Sequence, residues 1–163
     1  MAKMRSQGSL IPCVFLSCLV SCAPARPSPV FPGPVFLPSA DQAIRGLPFS
    51  DAVRVGDLLF LSGKIGTIPG TTELAPGGIA AETTQIMESI KATLEANGSS
   101  LDRVVKCTVM LADIREWAAM NEVYARYFPS RRPARSSFGT SGLALNARAE
   151  IECIAAVGSR SSK

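Results

Sequence analysis

Apolar residues recur at two periods along this chain, and the changes of period mark out its elements. Over residues 78–97, Ile79, Ile86, Met87, Ile90 and Leu94 fall on one face of a 3.6-residue helix. Asn97-Gly98 closes that helix, because both residues tolerate the left-handed backbone of a C-cap. Over 104–111 the period shortens to two: Val105, Cys107 and Val109 alternate with Lys106, Thr108 and Met110, as in a strand with one buried face. A second helix begins at Asp113, where Asp113-Ile114-Arg115-Glu116 has the form of a capping box with Asp at the cap. Trp117, Met120, Tyr124 and Tyr127 continue its apolar stripe. Pro129 ends it, biasing Phe128 away from helical backbone.

Before the first helix, residues 51–62 hold two short apolar runs joined by Gly56-Asp57, which predicts a β-hairpin. A short strand is expected at 35–37. Residues 66–78, rich in Gly, Pro and Thr, read as a loop. Two more strands are expected near 135–141 and 147–157. The order is therefore β-β-β-α-β-α-β-β. Each helix lies between strands and has a single apolar face, so an α+β fold follows: one sheet with both helices packed on the same side. No third helix is left to cover the opposite face. An apolar sheet face of that size is rarely left wet in a stable monomer, which predicts a homo-oligomer.

The first residues follow a different pattern. Lys3 and Arg5 precede a short apolar stretch at 10–20 that contains Pro12, Cys13 and Cys18. It falls short of the roughly 20 residues a membrane span needs. It runs into Leu19-Val20-Ser21-Cys22, which resembles a bacterial lipobox, where the cysteine is lipidated and becomes the new N-terminus. A plain secretory signal and an early start site are the alternatives. Residues 23–34 are too rich in proline for a helix or a central strand and read as an extended tether. The expected organisation is a signal at 1–22, the tether at 23–34, a folded domain at 35–158 and a flexible tail at 159–163. The protein is then exported, periplasmic or held at a membrane through Cys22.

Composition narrows the chemistry. The 163 residues suit one domain, and 47% of them are apolar, enough for a packed core. The formal charge of +4 falls to +2 without Lys3 and Arg5, too little to argue for a nucleic-acid partner. There is no histidine, which excludes a Ser-His-Asp triad, a Cys-His pair and a His-ligated metal. Of the five cysteines, Cys107 and Cys153 lie in separate strand-like runs without C-x-x-C spacing. The spacing leaves a disulfide between them open, with two buried free thiols the preferred reading.

Several motifs carry a resemblance. Pro133-Ala134-Arg135-Ser136, followed by Glu150-Ile151-Glu152-Cys153-Ile154-Ala155, resembles the C-terminal signature of the Rid (reactive intermediate deaminase, YjgF-like) family. Pro48-Phe49-Ser50 resembles its Pro-Tyr-Ser, and Leu61-Ser62-Gly63-Lys64-Ile65 its Ser-Gly-Gln-Ile segment. Val105-Lys106-Cys107-Thr108-Val109 is similar to its Val-Lys-Thr-Thr-Val strand, and Asn121-Glu122-Val123-Tyr124 with Tyr127-Phe128 to its Asn-x-x-Tyr…Phe-Phe helix. The resemblance spans roughly residues 35–158. It implies a chorismate-mutase-like α+β fold with a single mixed sheet, assembled as a trimer with a pocket at each subunit interface. It also implies hydrolysis of 2-enamine/2-imine acids to 2-keto acids and ammonia without metal or cofactor. Some members of the family are described as endoribonucleases, and others as binders of small ligands.

Such a substrate has a carboxylate beside an electrophilic carbon. Arg135 suits the carboxylate, since a guanidinium grips it through two parallel hydrogen bonds. On the basic run 131–135 alone it would read as a surface arginine; the Pro-Ala-Arg-Ser context and the downstream glutamates move it into a site. Glu150, Glu152 and Ile154 share one face of the last strand. By its place in the Glu-Ile-Glu motif, Glu150 resembles the water-positioning glutamate of the family, with Glu152 as the second choice. Ser62 and Gly63 are expected to line the pocket through their backbones, and Asn121 to donate to the ligand or brace it. Phe49 stands where deaminase members carry Tyr, Ser137 where many carry Cys, Lys64 where they carry Gln, and Cys153 where a small residue is usual. Three functions follow: an imine deaminase, a non-catalytic ligand- or partner-binding module and, with least support, an RNA-cleaving enzyme.

Overall fold

The computed structural model describes residues 33–41 and 45–158. The 1–22 signal with Cys22, all but the last two residues of the tether, and the 159–163 tail lie outside the described residues. Seven strands and two helices follow one another as β1 (Val35–Leu37), β2 (Ala52–Val55), β3 (Leu58–Leu61), β4 (Lys64–Ile65), α1 (Gly78–Ala96), β5 (Val104–Leu111), α2 (Trp117–Tyr124), β6 (Ala134–Gly139) and β7 (Ala149–Ala156). They form one sheet in the order β1-β2-β3-β7-β5-β6, with β4 pairing on β7. β5 and β6 run parallel and all other pairs antiparallel, so the sheet is mixed.

The core lies between the sheet and the two helices. Ile86, Met87, Ile90 and Leu94 of α1 and Met120 and Tyr124 of α2 pack on Leu59, Val109, Leu111 and Ile151, all buried. The α1 stripe read from the sequence is thus the stripe that is buried. At its end Gly98 takes φ 75°, and the Ser99 N–H reaches back to the Leu94 carbonyl at 2.9 Å, closing the last turn. The opposite sheet face carries Leu58, Phe60 and Phe138 exposed, and Met110 and Ile154 half-buried.

Four local expectations are corrected. A two-residue strand, β4, follows the hairpin: the chain breaks at Ser62-Gly63 and resumes along β7. The Lys64 ammonium pins this break to the Asp51 carboxylate, which also accepts from Thr93 Oγ1 at 3.0 Å. In β5 a bulge between Val104 and Lys106 turns Val104 inward and leaves Val105 exposed, so the alternation expected through Val105 starts only after it. The capping box at Asp113 is half made. Its carboxylate accepts from Arg115 N at 2.9 Å, but Glu116 pairs with Arg148 instead of reaching back. Last, Cys107 and Cys153 are joined in a disulfide, not free thiols. They are directly opposed across β5 and β7 with Cα atoms 4.1 Å apart, the short spacing of a non-hydrogen-bonded antiparallel pair.

A candidate active site in two halves

Arg135 lies in the edge strand β6, directly beside Cys107 of β5, so it shares the helix-side face of the sheet with the buried disulfide. Its guanidinium stacks over the Tyr124 ring, 4.7 Å from the centroid, and lies 5.8 Å from that of Trp117. Aromatic faces attract a cation and leave the hydrogen-bonding edge of the fork free. Among the described residues no carboxylate pairs with Arg135. Burial pushes the Tyr124 phenol up to about 12, with the Arg135 charge opposing, so the ring beneath the cation stays neutral. Asn121, one turn before Tyr124, borders the same hollow of about 350 Å³. Ser137, two residues along β6, points to the same side, and its buried hydroxyl has no protein partner.

Glu150 belongs to the other face. It sits opposite Met110, and Met110 is one strand position out of phase with Val109, Leu111 and the helix side. Its side chain lies across Gly63 so closely that a Cβ at position 63 would fall 1.9 Å from Glu150 Oε1. Burial, and then the like charge of Glu152, hold the Glu150 carboxyl above its ordinary range. Glu150, Gly63 and Phe49 line a hollow of about 470 Å³ with Leu47, Ile65 and Leu145. Glu152 is exposed on the same sheet face, beside Lys106 and Thr108.

The expected residues therefore fall into two groups on opposite faces. Arg135, Asn121 and Ser137 make one, and Glu150, Gly63 and Phe49 the other. Ser62 joins neither hollow: its hydroxyl donates to the Ser50 carbonyl at 2.6 Å and its N–H to the Asp51 carbonyl at 3.1 Å, bracing the segment that carries Phe49. Four contributors escaped the sequence reading. The sequence pattern puts Trp117 on the apolar stripe of α2, yet it is 44% exposed beside Arg135. Leu47 and Leu145 carry no chemical signature. Glu82, buried in α1, accepts from Arg148 N at 2.8 Å and so anchors the start of β7. Among the described residues no group of His, Cys, Asp and Glu is placed to hold a metal ion.

Known proteins resemble this chain in sequence and fold. The Endoribonuclease L-PSP family model matches residues 41–157. A 2-iminobutanoate/2-iminopropanoate deaminase of Capra hircus is 41% identical over 111 residues, covering 68% of this chain and 81% of that one. Reactive Intermediate Deaminase A, chloroplastic, of Arabidopsis thaliana is 43% identical over 108 residues, covering 66% of this chain; the chain spans only 58% of that relative. A crystal structure from the Rid protein family of Yersinia pestis superposes with a TM-score of 0.71 at 32% identity, covering 77% of this chain and 100% of that one. The chain belongs to the Rid/YjgF/L-PSP family, and its mixed sheet with two helices is the fold of that family.

Proposed function

We propose that this protein hydrolyses 2-enamine/2-imine acids to 2-keto acids and ammonia, in sites shared between the copies of a homotrimer. The observation that carries this reading is the division just described. Arg135 is stacked and unpaired on one face, while Glu150 is held above its ordinary range on the other. Opposite faces of one sheet keep the two from meeting around a small molecule in one copy, so a site that uses both draws them from neighbouring copies. The exposed Leu58, Phe60 and Phe138 supply a surface that association would bury.

In such a site Arg135 grips the substrate carboxylate and leaves the neighbouring carbon facing Glu150 of the adjoining copy. Ionised Glu150 takes one proton from water as the oxygen bonds to the imine carbon and passes it to the nitrogen; it then takes the proton of the new hydroxyl and passes that to the nitrogen as C=O forms and the C–N bond breaks. The balance is one imine acid and one water giving one 2-keto acid and one ammonia. Every proton moves through Glu150 or water, so no cofactor is required. The relatives named as deaminases support this chemistry. Purified residues 23–163 are expected to accelerate ammonia release from imines made by an amino-acid oxidase, and Arg135→Ala to abolish it. Full activity in that variant would rule out the anchor.

A second reading, a binding module without catalysis, is favoured by Phe49, whose ring lines the hollow but offers no hydroxyl. It predicts ligand binding with no acceleration in the same assay. We also propose export, with Cys22 lipidated. The buried Cys107–Cys153 disulfide supports this, since such bonds persist mainly in oxidising compartments. Mass spectrometry of the mature N-terminus tests it: a diacylated or triacylated Cys22 is expected, and an unprocessed Met1 contradicts it.

A further inference from the structure

Leu145 takes φ 55° and ψ 21°, and Asn146 follows at φ 59°. Left-handed backbone presses a Cβ toward the following carbonyl, so a leucine there is strained. The surroundings hold it in place. Asn146 N–H donates to the Leu143 carbonyl at 3.2 Å and Ala147 N–H to that of Ala144 at 3.0 Å, while Arg148 N–H is tied to Glu82. Yet the fold does not bury Leu145, which is 52% exposed. It lines the Glu150 hollow together with Leu47, Phe49 and Ile65, and the first two of these are exposed as well. Strain that brings the folded chain no burial points to contact with something bound.

We infer that Leu145 determines specificity in the Glu150 half-site, and that its substrates are 2-imino acids with bulky apolar side chains. This rests on the deaminase reading. The carbon attacked by water carries three groups: the carboxylate, the nitrogen and the side chain. With the carboxylate drawn to Arg135 and water at Glu150, the side chain is the group left to face the apolar wall. A hollow of about 470 Å³ is far larger than a methyl or ethyl group and accommodates an isobutyl or benzyl one. It offers an acidic side chain no partner. Lys64 is taken up by Asp51, the Thr71 hydroxyl donates to the Ile68 carbonyl, and Glu150 would repel a second carboxylate.

The experiment compares imines generated in place from leucine, phenylalanine, alanine and glutamate, with kcat/KM for each, on the wild type and on Leu145→Gly. The leucine and phenylalanine imines should exceed the alanine imine by about tenfold or more, with glutamate poorest. Glycine at 145 relieves the left-handed strain, so the melting temperature should rise while the leucine-to-alanine ratio falls toward one. A flat wild-type series, or an unchanged ratio in the variant, overturns the inference. So does a variant whose oligomeric mass changes while all substrates fall alike, because a neighbouring copy then covers Leu145. Acceleration of no imine at all would remove the deaminase reading itself, and this inference with it.

Discussion

Arg135 and Glu150 leave the sheet on opposite faces, because Arg135 is in register with Cys107 on the helix side while Glu150 is in register with Met110, out of phase with it. Each is supported where it stands: Arg135 by aromatic rings, Glu150 by the bare backbone of Gly63. The consequences of this placement can be measured one at a time.

Gly63→Ala is expected to impair activity without unfolding the protein. The added Cβ would collide with Glu150 Oε1, the far end of a flexible side chain, so the carboxylate moves aside. Stability should change by less than about 1 kcal/mol, while kcat should drop on the order of a hundredfold, the scale of a lost acid–base group. Thermal denaturation and steady-state kinetics check the two halves of this prediction.

Trp117 is the one tryptophan of the chain and lies beside Arg135, so it reports on the anchor. Titration with a 2-keto acid product should change its emission. Arg135→Ala should remove roughly 2 to 3 kcal/mol of ligand binding, about a hundredfold in Kd. Arg135→Lys should also bind weakly, because a point charge does not reproduce the fork. Unchanged affinity in either variant would speak against Arg135 as the carboxylate anchor.

The pH profile should show an acid limb above the ordinary glutamate range. Burial and Glu152 both raise the Glu150 carboxyl, and the ionised form is the base, so activity rises with pH through that limb. Glu152→Gln removes one raising influence and should move the limb down; Glu150→Gln should remove it. The linkage for stability has the opposite sense. A raised carboxyl favours the folded state below its unfolded value, and that contribution is lost as pH rises through the folded one.

The disulfide closes a loop of 46 residues, which in the chain-entropy account stabilises the fold by about 4 kcal/mol. Both cysteines are buried, so reduction should proceed through unfolding. Denaturant curves of the oxidised and reduced protein should differ by about that amount, and coincident curves would show that the bond is absent in solution.

Much of the fold was legible because its signals are local. The α1 stripe, the Gly56-Asp57 hairpin and the strand at 104–111 each declare themselves within one short stretch of chain, and the motifs named Arg135 and Glu150 one by one. Which faces those two occupy was not legible. That depends on β6 pairing parallel to β5 and on β7 entering between β3 and β5, both long-range pairings. The disulfide was hidden for the same reason: Cys107 and Cys153 oppose one another only once β5 and β7 are in register. Leu145 was missed because nothing in Leu-Asn announces a left-handed backbone at the leucine.

The most direct measurement is complementation between two dead variants. Arg135→Ala and Glu150→Gln chains, inactive alone, are co-expressed with different tags and the mixed assemblies are isolated. In a cyclic trimer every mixed assembly has one junction of its three where an intact Arg135 meets an intact Glu150, so the isolated mixed assemblies should regain about a third of wild-type sites. Regained activity of that size is the predicted result. Mixed assemblies as inactive as their parents would contradict a site built from two copies.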